Sequence, residues 1–214
     1  MTINLLPLFA SNVLYFYIDE DTSELDCNDF EWYDICQPLV PKSKTYITDS
    51  IQVLDKYPKT KKILLDKFNE IAKNVLEFEC EFEIGTSWMT KVKPGGHSHY
   101  HSHKNYFYSG IYYFGNSYSQ DSGLIQFKSP VNPLYDYYIN NTKSIHTSRY
   151  WEIPPASKKL ILFPSYLEHV IMENKEEFDR YSLAFNMFPV GKYGSADSTI
   201  RPSLLRPSTP SYST

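Results

Sequence analysis

From Glu79 onward the sequence breaks into short runs rich in Tyr, Phe, Ile and Val, separated by Gly, Asn, Ser and Pro. β-branched and aromatic side chains suit a pleated, half-buried surface, and the separating residues supply turn conformations, so this rhythm predicts strands. They fall near Phe82–Val92, His97–His103, Tyr108–Phe114, Leu124–Lys128, Arg149–Ile153, Lys159–Phe163, Leu167–Met172 and Arg180–Phe188. Upstream, Lys59–Phe78 places Leu64, Phe68, Ile71, Ala72 and Val75 on one face at three-to-four spacing, which predicts a single amphipathic helix after Pro58. Eight short strands behind one helix point to a mainly β fold with a flanking helix, its core a two-sheet, cupin-like jelly roll.

The remaining segments divide the 214 residues around that core. Residues 1–80 read as a buttress: an early strand at Asn12–Ile18, an acidic stretch from Asp19 to Asp34 with eight carboxylates and no base, then the helix. The acidic stretch lacks calcium-loop spacing and is expected to be a solvated loop. Residues 81–198 form the core, and 199–214, rich in Pro, Ser and Thr, form a flexible tail. Ser129–Ser148 is long for a loop without secondary structure and carries Tyr135, Tyr137 and Tyr138, as a lid would.

Composition narrows the function classes. A formal charge of −4 without a dense Lys/Arg block lacks the footprint that phosphate-backbone binding needs, so no nucleic-acid partner is expected. Met1–Ile18 is uncharged, but it has no basic leading region and Pro7 interrupts it, so neither a signal peptide nor a membrane anchor is expected. Cys27, Cys36 and Cys80 show no metal or redox spacing and read as reduced thiols, consistent with a cytoplasmic location.

Four of the six histidines, His97, His99, His101 and His103, fall within seven residues. On an extended segment all four project to one side, with neighbours about 6.6 to 6.8 Å apart. Two such imidazoles can converge on one ion through bonds of about 2.0 to 2.1 Å, but a third along a straight strand cannot. One adjacent pair therefore needs a ligand from elsewhere, and only His146 and His169 are available. His169 is favoured because it follows the apolar run Leu160–Pro164 in a predicted strand, whereas His146 sits in the long loop.

Eleven residues beyond His169, Arg180, Ser182, Ala184 and Asn186 alternate along one strand face and present a guanidinium, a hydroxyl and an amide. An inward arginine calls for an anion, and a carboxylate matches its planar fork. Tyr113, from the strand at Tyr108–Phe114, is placed to add a phenolic hydrogen bond to the same carboxylate. The competing reading of Arg180 is an ion pair with Glu168, Glu177 or Asp179.

The stretches Ser87–Gly96 (SWMTKVKPGG), His101–Asn105 (HSHKN), Ser109–Tyr113 (SGIYY), Phe163–Ser165 with His169, Arg180–Asn186 (RYSLAFN) and Tyr193–Ser198 (YGSADS) together resemble a family of 2-oxoglutarate- and Fe(II)-dependent oxygenases. Bacteria and their phages carry this prolyl-hydroxylase-like family, and the chain resembles its phage-type members. The resemblance covers residues 85–198. It implies a double-stranded β-helix and an oxidoreductase acting as a dioxygenase, with iron and 2-oxoglutarate as cofactors and O2 as co-reactant. The substrate it implies is a peptide side chain, with a small molecule as the other expectation; a phage-encoded member would work in the host cytoplasm.

Position by position, the resemblance puts the His-x-His ligands on His101 and His103 and the distal ligand on His169. The basic residue for the far carboxylate of 2-oxoglutarate falls on Arg180, with Ser182 completing an Arg-x-Ser pair and Tyr113 helping to hold the cosubstrate. Asn186 joins Tyr113, Arg180 and Ser182 as a cofactor-binding candidate. His99 with His101 is the alternative ligand pair. The wider superfamily uses two histidines and a carboxylate, and here the carboxylate position is His103.

Two rival readings keep the fold and change the activity. Gly95 followed by His101-x-His103, with Pro164–His169 downstream, reproduces cupin spacing, which would give a metalloenzyme without 2-oxoglutarate; the expected Glu is missing at Phe107 or Tyr108. A non-catalytic jelly-roll binding or structural protein is the third.

Overall fold

The computed structural model describes residues 10–34, 43–115, 117–131 and 148–200. Its elements are β1 (Leu14–Tyr17), β2 (Trp32–Tyr33), β3 (Thr45–Thr48), α1 (Pro58–Asn74), β4 (Glu81–Val92), β5 (Tyr108–Tyr112), β6 (Ile125–Lys128), β7 (Tyr150–Ile153), β8 (Lys159–Pro164), β9 (His169–Ile171) and β10 (Arg180–Val190). A seven-stranded sheet runs β1-β8-β5-β10-β4-β3-β2, and a three-stranded sheet runs β7-β6-β9. Neighbouring strands pair antiparallel throughout. This is the mainly β, double-stranded β-helix arrangement with one flanking helix that the strand count predicts.

Two apolar layers hold it together. The first lies between α1 and the outer face of the large sheet, where Leu64, Phe68 and Ala72 meet Phe82, Met89, Leu183, Phe185 and Met187. The second lies between the sheets and contains Ile111, Tyr113, Ile125, Phe127, Ile161 and Phe163. Burial of each large aliphatic or aromatic side chain contributes about 1.5 to 3 kcal/mol, which offsets the ordering of short strands that could not persist alone.

Pro58 opens α1 at a position where its missing N–H costs nothing. The helix ends at Asn74, before Glu77 adopts a left-handed backbone (φ 58°) and the Phe78 N–H turns back to the Ala72 carbonyl at 2.8 Å. Val75, expected on the buried face, lies beyond this end and is exposed. The acidic stretch is more than a solvated loop. Glu24 accepts the Thr60 N–H at 2.6 Å in the first turn of α1, where a carboxylate also suits the helix dipole. Glu20 and Asp21 pair with Lys67 and Lys59.

Among the candidate strands, His97–His103 differs most from expectation. It forms no strand and makes a single bridge, His101 to His169. The Gly95–Gly96 turn, with Gly95 at φ 73°, leads into it, and the Ile171 N–H bonds the Ser98 hydroxyl at 2.8 Å where a regular ladder would use a carbonyl. The segment still lies along β9 and completes the smaller sheet as an irregular edge. β2 and β3, which are not among the predicted strands, extend the large sheet beyond β4.

Of the long loop, residues 132–147 lie outside the described residues, and with them Tyr135, Tyr137, Tyr138 and His146. Cys36 and residues 201–214 of the tail do also, although Ile200 is bridged to Tyr193. Among the described residues, no helix is long and apolar enough to cross a membrane.

Candidate metal and anion site between the sheets

A bulge in β4 sets which side chains reach the space between the sheets. Pairing of β10 with β4 shifts register between Asn186 and Met187, so that Asn186 faces Thr86 while Met187 faces Ile84, and Gly85 is the extra residue. Before the bulge, Phe82 and Ile84 point toward the layer under α1; after it, Met89 does. The inward set becomes Thr86, Trp88 and Thr90, opposite Asn186, Ala184 and Ser182. A side chain at Gly85 would collide with the Tyr106 ring, 2.7 Å from an ideal Cβ.

His101 and His169 meet through backbone pairing, His101 N–H to His169 O at 3.1 Å and His169 N–H to His101 O at 3.0 Å. Their ring centroids are 4.3 Å apart, and the His103 ring is 5.1 Å from His101 and 5.4 Å from His169. One ligand atom from each of the three lies within 4.8 Å of the others. The Nδ1 atoms of His101 and His169 each lie 2.9 Å from a carbonyl oxygen, of His99 and Leu167 respectively. A carbonyl only accepts, so Nδ1 carries the hydrogen and Nε2 keeps its lone pair, the tautomer a metal ligand needs.

Burial holds these imidazoles neutral. It is the first cause in each case: His169 is pushed down to about 3 and His103 to about 4, with the nearby His101 adding to both, and His101 itself is lowered. Neutral nitrogen is the form that binds metal, and three convergent nitrogens fit a divalent transition metal. His97 and His99 stand apart from the cluster. The His97 carbonyl takes the Thr45 hydroxyl at 2.7 Å, and the His99 ring lies 5.5 Å from His101 with its buried Nδ1 unpartnered.

Arg180, only 1% exposed, is the largest fully buried side chain among the described residues. Its Nη1 donates to Ser182 Oγ at 3.2 Å and its Nη2 to Tyr113 Oη at 2.9 Å, while Nε has no partner. None of the ion pairs among the described residues involves Arg180; Glu168, one suggested partner, pairs with Lys128 at 2.9 Å. Burial raises the Tyr113 pKa, so its hydroxyl keeps a hydrogen to donate. A guanidinium this buried and without an anion fits a carboxylate ligand.

Asn186 lines the same cavity but is already engaged. Its Oδ1 accepts from Ser109 Oγ at 2.7 Å and its Nδ2 donates to Thr86 at 3.1 Å, while Ser109 also contacts Ser165 Oγ at 2.8 Å. The Ser165 carbonyl in turn accepts the His103 N–H at 2.8 Å, so this polar chain braces the turn after the third histidine. Thr90 and Ser109 also line the cavity, and sequence reasoning did not single them out. Alternation from Trp88 would reach Thr90, but only the bulge tells which parity faces inward. Trp88 is half-buried on the cavity wall, its ring 5.4 Å from His103.

Residues 86–186, just under half of the chain, match the family described as "Putative 2OG-Fe(II) oxygenase". That match likens residues 86–186 to oxygenases described by their use of Fe(II) and 2-oxoglutarate. No curated protein matches the chain. Among solved structures, a 2OG-Fe(II) oxygenase family oxidoreductase from Burkholderia pseudomallei has 13% identity and a TM-score of 0.57, covering 82% of this chain and 84% of that one. HygX from Streptomyces hygroscopicus, with nickel, 2-oxoglutarate and hygromycin B bound, has 12% identity and a TM-score of 0.58, covering 84% and 83%. The non-heme alpha-ketoglutarate-dependent carbocyclase SnoK from nogalamycin biosynthesis has 10% identity and a TM-score of 0.59, covering 88% and 84%. At these identities the likeness is one of fold.

Proposed function

We propose that the protein is a 2-oxoglutarate- and Fe(II)-dependent dioxygenase whose metal is held by His101, His103 and His169 and whose cosubstrate meets Arg180, Ser182 and Tyr113 through its far carboxylate. The observation that carries this reading is Arg180, a buried guanidinium with an unpartnered Nε and no acidic partner among the described residues, in the cavity that the three histidines line. When bound, the metal and 2-oxoglutarate supply the activation of O2 that oxidises a C–H bond.

The chain supplies geometry and a dry wall. The carbonyls of His99 and Leu167 fix two imidazole rings, and Phe163, with its centroid 4.8 Å from the His169 ring, shields that ligand from water. Arg180 orients the cosubstrate, and Tyr113, buried against it, donates its hydroxyl hydrogen to the same carboxylate. Asn186 acts through Ser109 and Ser165 to brace the turn that carries His103, and presents its remaining amide capacity to the cavity. Trp88 walls the cavity beside His103, where a peptide side chain or a small molecule would present its C–H bond. The motif set supports a phage-type member, and the unpaired thiols of Cys27 and Cys80 suit a cytoplasmic setting.

Anaerobic titration with Fe(II) and then 2-oxoglutarate tests this reading. The expected result is a visible charge-transfer band that Arg180→Ala abolishes. Metal binding without any response to 2-oxoglutarate would favour a cupin-type metalloenzyme, and no metal binding would favour a non-catalytic jelly roll.

A further inference from the structure

His103 stands where the wider superfamily has a carboxylate, and the substitution changes the charge of the cavity. The three histidines are neutral ligands, and among the described residues lining the cavity there is no Asp or Glu. Arg180 is 1% exposed and His169 3%, so water does little to screen charge at this depth. A divalent cation and the guanidinium bring three positive charges, and dianionic 2-oxoglutarate removes two. A carboxylate at position 103 would remove the third. With His103 there, one positive charge stays uncompensated in a low-dielectric site, a costly arrangement that a further anion relieves.

We infer that the cavity takes one monoanionic group in addition to 2-oxoglutarate, so that the substrate or an effector carries a carboxylate or comparable single negative charge to the histidine end. This rests on the oxygenase reading and names the ligand chemistry of that same site. His103 is then a specificity-determining residue: it selects for charge on the incoming molecule, while Trp88, 5.4 Å from its ring, offers that molecule a flat apolar wall.

The test uses the full chain loaded anaerobically with Co(II) and 2-oxoglutarate, the cobalt visible spectrum reporting binding. Acetate and acetamide have nearly the same shape and differ in charge; chloride is the inorganic arm. The expected result is that acetate or chloride perturbs the spectrum at concentrations at least tenfold lower than acetamide does. Preference for acetate identifies a carboxylate-bearing molecule, and preference for chloride an inorganic anion. His103→Asp, which restores the third negative charge, is expected to weaken the anion response at least tenfold. Should that variant fail to fold, the acetate-to-acetamide comparison in the unaltered protein decides alone. Equal responses to acetate and acetamide, or none to either anion, overturn the inference while leaving the oxygenase reading intact. Failure of cobalt or 2-oxoglutarate to bind overturns both.

Discussion

His101 and His169 exchange two backbone hydrogen bonds, at 3.1 and 3.0 Å, across the irregular edge of the smaller sheet. That reciprocal pair sets their rings 4.3 Å apart. His103 converges with these two rings, whereas His97 and His99 share only the sequence run.

Replacing His101, His103 or His169 by Ala is therefore expected to weaken Fe(II) or Co(II) binding more than about a hundredfold, since each removes one of the three proposed protein ligands. His97→Ala and His99→Ala should change it less than about threefold. Calorimetric titration checks this, and loss of metal in His99→Ala would select the alternative pair.

In the proposed function Arg180 contributes to the bound state more than to the fold. Arg180→Met should leave the apo protein within about 1 kcal/mol of the original, because burying an unpaired guanidinium already costs free energy. The same change should weaken 2-oxoglutarate binding by about a hundredfold or more, and Tyr113→Phe by about tenfold, the scale of one charge-assisted hydrogen bond. Urea unfolding and ligand titration separate the two effects.

Acid should destabilise the apo protein through the same histidines. Their folded values, about 3 for His169 and about 4 for His103, lie below the ordinary 6.5, so below that pH the unfolded chain binds protons that the folded chain refuses. Their contribution is present above pH 6.5 and is lost progressively as pH falls toward 4 and 3. The melting temperature should drop by several degrees between pH 7.5 and 5.0, and by less in His169→Gln, which has nothing to protonate there. An equal drop in that variant would refute the assignment.

Gly110 tests the packing beneath the cavity. A Cβ there would lie 2.3 Å from the Phe185 ring, which belongs to the core layer under α1. Gly110→Ala should cost about 2 to 3 kcal/mol by overpacking, read from denaturant midpoints.

The polar chain through Asn186 gives a last check. Ser109→Ala leaves the buried Asn186 Oδ1 without its donor and should cost about 1 to 3 kcal/mol. It should also weaken metal binding through the Ser165 and His103 turn while leaving 2-oxoglutarate affinity in the metal-loaded protein nearly unchanged.

The sequence by itself determined what local pattern encodes. Alternation and turn residues placed the strands around Phe82–Val92, Lys159–Phe163 and Arg180–Phe188, and three-to-four spacing placed the helix, because those signals are written within a few residues. It also marked His101, His103, His169, Arg180, Ser182 and Tyr113 by residue type and resemblance. Only the tertiary structure decided the rest. The His97–His103 run reads as a strand by alternation, yet Ser98 and the Gly95–Gly96 turn break its ladder, so it lies against β9 by one bridge. The bulge at Gly85 chose which parity of β4 faces inward and so brought Trp88 and Thr90 to the cavity. Asn186, marked as a cosubstrate contact, spends bonds on Ser109 and Thr86. Arg180 has no acidic partner among the described residues although Asp179 precedes it in sequence. These outcomes depend on pairing between segments far apart in the chain, and no short-range pattern carries that information.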